Sequence, residues 1–215
     1  MNKYLPVIIA SLILGVFAVA GTTLVSFTYE NTKDRIEENK RLALLKQLTK
    51  LVPAQQIDND IVADSISVSA PDQLGQQESR IYLGRKNAQP VAAVFESTTH
   101  RGYSGDINLL VAVMHDGTLG GVRVISHKET PGLGDKVDEN RSDWILSFAG
   151  KSLSNPSPDQ WKVKRDGGYF DQFTGATITP RAVVEAVRKT LDYYRLNQEK
   201  IFTSTPPALP ATEGY

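Results

Sequence analysis

Three hydroxyls stand around one glycine at Asp171-Gln172-Phe173-Thr174-Gly175-Ala176-Thr177-Ile178-Thr179-Pro180. Thr174, Thr177 and Thr179 offer hydroxyls, and Gly175 allows close approach of the backbone to a ligand. Thr179 followed by Pro180 reads as a helix start, with the hydroxyl as N-cap and proline at the first helical position, where the donor it lacks is not needed. Free N–H groups and the positive end of the helix dipole make such a start a seat for phosphate. The same residues also describe an ordinary capped helix behind a glycine turn, and helix starts far outnumber phosphate sites.

The elements that would position this stretch read as an α+β domain with antiparallel pairing. Residues 181–197 place Val183, Val184, Val187, Leu191 and Tyr194 on one helical face. Residues 80–85 and 90–97 read as strands around Lys86-Asn87-Ala88-Gln89, and residues 107–114 and 120–126 as two more around His115-Asp116-Gly117-Thr118. Short turns between strands imply antiparallel neighbours. A peripheral piece is expected within 61–68, a short helix over 143–150 with Trp144, Ile145 and Phe148 inward, a loop over 152–159, and a further strand over 161–164.

Residues 5–28 contain no charged side chain. As a helix they would reach roughly 36 Å, enough to cross a lipid bilayer core of about 30 Å. A cleaved signal peptide is the alternative, since Ala18-Val19-Ala20 precedes Gly21, but the uncharged run continues beyond that point through Leu24, Val25 and Phe27. A second, charged helix is expected over 31–52, with Leu44, Leu45, Leu48, Leu51 and Val52 as a late apolar stripe and Pro53 after it. The resulting division is a transmembrane anchor at 1–30, a juxtamembrane helix at 31–54, one domain at 55–202 and a disordered, proline-containing tail at 203–215.

Composition excludes several chemistries. Twenty-four basic and 24 acidic residues balance, which leaves no basic field for nucleic acid. The absence of cysteine removes disulfides, thiol catalysis and iron–sulfur ligation by thiolate. His100, His115 and His127 show no metal-ligand spacing, and neither a Walker phosphate loop nor a GxGxxG fingerprint is present. No base stands beside Thr177 in sequence, so no catalytic residue is assigned. Lys162, Lys164 and Arg165 could neutralise a phosphate, although charges on an edge strand ordinarily face water.

Asp171 with Thr174-Gly175-Ala176-Thr177 resembles the flavinylation motif of the FMN-binding domain family. Gly102-Tyr103-Ser104-Gly105, the run from Glu129 through Thr130-Pro131-Gly132-Leu133-Gly134 to Lys136, and Asp166-Gly167-Gly168-Tyr169-Phe170-Asp171 resemble further motifs of that family. With the N-terminal apolar segment, the pattern is similar to the G subunits of Rnf (Rsx) ion-translocating electron transport complexes, and more distantly to the C subunits of sodium-pumping NADH:quinone reductases.

The resemblance implies FMN joined by a phosphodiester to the Thr177 side-chain oxygen. It implies a separate flavin transferase that draws on FAD and reads a pattern including Asp171. Thr174, Gly175, Ala176 and Thr179 would complete the phosphate end of the site. Tyr103, Ser104, Thr130, Gly132 and Leu133 would form the walls of the ring end. The implied role is an electron carrier in a membrane complex working between ferredoxin and NAD, with its domain on the periplasmic side of the bacterial inner membrane. Lys33, Arg35, Lys40, Arg41 and Lys46 follow the apolar segment, and a literal charge count favours the opposite orientation. A membrane-anchored binding or assembly module without flavin, and a stand-alone anchored flavoenzyme, are the competing functions.

Overall fold

The computed structural model describes residues 4–203, and the chain divides into two units, Met1–Leu44 and Leu45–Tyr215. The first unit is carried by helix α1 (Leu5–Leu51), which is long and apolar enough in its N-terminal part to cross a membrane. Leu12, Leu14, Phe17, Leu24 and Phe27 are all exposed along it. Thr22 and Thr28 return their hydroxyls to the carbonyls of Ala18 and Leu24 at 2.8 Å, so neither leaves an unsatisfied donor on the apolar stretch.

The two helices expected over 5–28 and 31–52 are one. Between Pro6 and Pro53 there is no proline, and the charged residues after Tyr29 are good helix formers, so nothing interrupts the i→i−4 ladder. The final turn of α1 belongs to the second unit, where Leu48, Leu51 and Val52 are buried.

That unit is built on one five-stranded antiparallel sheet in simple sequential order: β1 (Ser65–Val68), β2 (Ser79–Lys86), β3 (Gln89–Thr99), β4 (Ile107–Met114) and β5 (Leu119–Ser126). The turn between β2 and β3 carries Asn87 and Ala88 at φ 51° and 62°, the left-handed pair that a two-residue hairpin requires. Between β1 and β2 lies the short helix α2 (Pro71–Leu74). Helix α3 (Ile178–Thr203) closes the domain. The tail expected from residue 203 otherwise lies outside the described residues.

Strand alternation sorts two buried faces. Ile81, Phe95, Val111 and Val122 stand in register across β2–β5 and join one core with Val183, Val187, Leu191 and Tyr194 of α3. Phe95 meets Tyr193 and Tyr194 edge-on at 6.2 and 6.1 Å. Burial pushes the Tyr194 phenol up to about 12. The opposite face presents Tyr82, Val94, Leu110 and Ala112, also buried. There Gly120 and Gly121 of β5 lie against Leu51, and Gly84 of β2 lies against Ile57.

Two local expectations differ from the structure, and a third is met in a tighter form. Residues 161–164 form no strand: Trp161 and Val163 are buried and alternate with exposed Lys162, which imitates a strand, but Gly167-Gly168 turn the chain back so that Val163 bridges only Phe170. A 3-10 turn, Lys164–Asp166, follows instead. The short helix expected over 143–150 is present as a 3-10 helix, Asp143–Phe148, with Ile145 and Phe148 buried and Trp144 half-buried. Finally, α3 begins at Ile178, one residue before Thr179.

Candidate functional site

The motif turn stands on aromatic packing. Phe148 stacks on Phe170 at 4.5 Å, and Trp144 meets Phe148 and Phe173 edge-on at 5.4 and 5.2 Å. Trp144 Nε1 donates to the Asp171 carbonyl at 2.8 Å, which fixes the entry to the turn. Ala176 N–H returns to the Phe173 carbonyl at 3.1 Å across Thr174-Gly175, and Gly175 takes φ +81°. A side chain at that φ would be strained, and a Cβ there would stand 3.3 Å from Leu133. The glycine thus serves both the turn and the opposite wall.

Because α3 starts at Ile178, the residue at the N-cap position is Thr177 and not Thr179. The Thr177 carbonyl accepts from Arg181 N–H at 3.4 Å, and its half-exposed side chain sits at the open end of the helix. Arg165 Nη1 lies 3.4 Å from Thr177 Oγ1, a long donor contact. Gln172 Oε1 accepts the Arg165 backbone N–H at 3.1 Å and ties that arginine to the motif. The next charges are neutralised: Arg181 binds Asp166 through two bonds of 2.5 and 2.6 Å, and Lys164 pairs with Asp171 at 2.7 Å. The Arg181 guanidinium holds the Asp166 carboxyl below its usual range.

Thr179 is buried within the first helical turn, and its hydroxyl donates to Glu129 Oε2. The other oxygen of Glu129 accepts the Ser104 N–H at 2.9 Å. These bonds draw three segments around a cleft of about 260 Å³, walled by Tyr103, Glu129, Thr130, Leu133 and Gly134 on one side and by Gly175 to Thr179 on the other. Leu133 N–H bonds the Thr130 carbonyl at 3.1 Å and shapes the glycine-rich wall. Tyr103, Leu133 and Ile178 are 71%, 41% and 47% exposed, so apolar surface borders the opening.

Of the residues singled out in the sequence, Tyr103, Thr130, Leu133, Gly175, Ala176, Thr177 and Thr179 come together in this cleft. Ser104 contributes its backbone, while Thr174 and Gly132 lie beside the lining rather than in it. Glu129, Gly134 and Ile178 were not distinguished as site residues, and Arg165 was named only among three cations that could neutralise a phosphate. Glu129 opens the glycine-rich run and Arg165 sits in a basic triplet, but neither signal separates a site residue from a solvated charge. Among the described residues no carboxylate or imidazole hydrogen-bonds Thr177 Oγ1, and no cluster of three metal-binding side chains occurs. The arrangement exposes an oxygen nucleophile beside a cation and a helix N-terminus, without a base to deprotonate it.

A family model described as FMN-binding domain matches residues 102–192, from the first cleft loop past all its lining residues, and one described as RnfG N-terminal region matches residues 1–51. The G subunit of the ion-translocating oxidoreductase complex of Pseudoalteromonas atlantica is 48% identical over 90% of this chain and 91% of its own length. The G subunits of the same description from Aliivibrio fischeri and Vibrio cholerae are 45% and 43% identical, over 90% and 91% of this chain and 93% and 94% of their own. A crystal structure of the C subunit of the Na(+)-translocating NADH-quinone reductase from Parabacteroides distasonis aligns with a TM-score of 0.42 at 22% identity, over 68% of this chain and 69% of that one.

Proposed function

This chain belongs to the family of G subunits of ion-translocating oxidoreductase complexes, and from that premise we propose that it holds FMN through a phosphodiester to Thr177 Oγ and relays electrons within such a complex. The observation that carries the proposal is the place of Thr177: at the N-cap of α3, at the mouth of the cleft, with Arg165 Nη1 at 3.4 Å.

The cleft fits FMN at both ends. At the phosphate end, the first N–H groups of α3 and the Arg165 guanidinium favour an anion on Thr177 Oγ. At the ring end, Tyr103, Leu133 and Ile178 offer apolar surface to a flat ring system, and Thr130 and the Glu129 carboxylate offer polar atoms at its edge. When bound, FMN supplies the exchange of one or two electrons, and the chain supplies place, hydrogen bonds and field.

Attachment requires that Thr177 Oγ form a bond to the FMN-side phosphorus of FAD while the pyrophosphate P–O bond breaks and AMP leaves. The hydroxyl proton goes to a base on a flavin transferase, because none of the described residues brings a base to Thr177. The partial exposure of Thr177 and the small neighbours Gly175 and Ala176 leave such an enzyme room to reach it.

The finer reading is an Rnf-type complex between ferredoxin and NAD. α1 would be anchored through residues 1–30 in the bacterial inner membrane, with the domain from residue 55 on the periplasmic side. A covalent tether suits that side, where a dissociated cofactor would be lost.

The test is the intact and peptide mass of the full chain from a host that supplies the transferase, with flavin fluorescence after denaturation. We expect one FMN less water on the peptide containing Thr177, and neither mass nor fluorescence in Thr177→Ala. An unmodified wild-type chain, with the transferase active on a control substrate, would overturn the reading.

A further inference from the structure

Glu129 is only 4% exposed, yet it borders the cleft. Oε1 accepts from Ser104 N–H and Oε2 from the Thr179 hydroxyl. Among the described residues no lysine or arginine pairs with it. Two glycines make space for its oxygens: a Cβ at Gly102 would stand 2.8 Å from Oε1, and one at Gly134 would stand 2.6 Å from Oε2. One carboxylate thereby joins the Gly102 loop, the Thr130 loop and the first turn of α3.

We infer that Glu129 is a positioning residue with a second effect: it clamps the three cleft segments together and sets a fixed negative charge beside the isoalloxazine ring, lowering the flavin reduction potential. The inference rests on the FMN reading of the cleft. Closing the loops alone does not call for a charge, because an amide could accept from Ser104 and donate to Thr179 without the desolvation cost of a buried carboxylate. Reduction places additional negative charge on the ring, and a neighbouring anion in a poorly screened site opposes it.

The experiment uses the full-length chain as wild type, Glu129→Gln and Glu129→Ala, made in the presence of the transferase. It reads the mass of the Thr177 peptide, the midpoint potential of the bound flavin, and hydrogen exchange at the Ser104 amide. In Glu129→Gln the Ser104 amide stays protected and the potential moves upward. In Glu129→Ala the Ser104 amide exchanges about tenfold faster or more. An unchanged potential in Glu129→Gln overturns the electrostatic effect, and unchanged Ser104 exchange in Glu129→Ala overturns the clamp. Where Glu129→Ala does not fold, Glu129→Asp replaces it: the charge is kept but withdrawn by one methylene, so Ser104 exchange rises while the potential stays near wild type. Absence of FMN from wild-type Thr177 overturns the flavin reading and the tuning built on it, and Ser104 exchange then decides the clamp alone.

Discussion

Thr179 donates its hydroxyl to Glu129 Oε2 across 50 residues of sequence, and both side chains are buried. This bond fastens the helix that carries Thr177 to the loop that forms the facing wall. Removing the donor leaves a buried oxygen without its partner. Thr179→Val should therefore cost about 1–3 kcal/mol in urea unfolding, and Thr179→Ser should recover most of that loss.

Gly134→Ala places a methyl group 2.6 Å from Glu129 Oε2 and 2.8 Å from Thr179 Oγ1. Neither atom can retreat without breaking the bond between them. We expect a loss of about 1–3 kcal/mol in the same assay. In combination with Thr179→Val the losses should fall short of additive, because both act on one carboxylate.

Arg165 is exposed and contributes little to packing, so Arg165→Ala should leave stability within about 0.5 kcal/mol. Its contact with Thr177 Oγ1 predicts slower FMN loading, followed as the fraction of modified peptide over time. Arg165→Lys, which keeps the charge but not the fork of donors, should fall between the two.

His100 hydrogen-bonds Asp106 through Nδ1 at 2.8 Å and the Gly75 carbonyl through Nε2 at 2.6 Å. The hydrogen bond to the Asp106 carboxylate, and after it the bond to the Gly75 carbonyl, raises its pKa above the ordinary 6.5. A raised folded-state pKa contributes stability that is complete below 6.5 and is lost as pH rises through the folded value. His100→Asn should flatten the pH dependence of the unfolding midpoint in that window. The pair is solvent-exposed, so the difference should remain below roughly 1 kcal/mol.

Leu51, at the end of α1, is buried against Gly120 and Gly121. Leu51→Ala should cost about 2–5 kcal/mol, measurable in the isolated second unit as well as in the full chain. Leu42→Ala, at an exposed position of the same helix, should cost far less.

The strands were legible because each carries its own alternation and its own turn residues: Ile107–Met114 is as the sequence reads, and Ser79–Lys86 and Gln89–Thr99 differ only at their ends. The helix start was misplaced because Thr179-Pro180 satisfies a local capping rule. Proline is equally tolerated two positions further into the first turn, where backbone N–H groups still lack partners within the helix. What placed Thr179 inside was Glu129, and a pairing across 50 residues leaves no local trace. The cleft walls at Tyr103, Thr130 and Leu133 were legible through motif resemblance alone. Arg165 was legible only as one of three cations that could neutralise a phosphate, since its approach to Thr177 depends on the fold-back at Gly167-Gly168 that the alternation of Trp161 and Val163 concealed.

The site closes in the order in which the chain is made. All five strands and both loops of the facing wall precede Ile178, and sequential pairing lets the sheet assemble as it emerges. Until Thr179 is added, however, Glu129 has no hydroxyl for Oε2, and α3 is missing from one face of the sheet. A chain arrested before that residue displays open loops and a bare apolar surface. The threonine proposed to receive the cofactor thus acquires its folded surroundings only once α3 has been made and has packed on the sheet, so the last helix of the domain, and no earlier element, completes the place where that hydroxyl is presented.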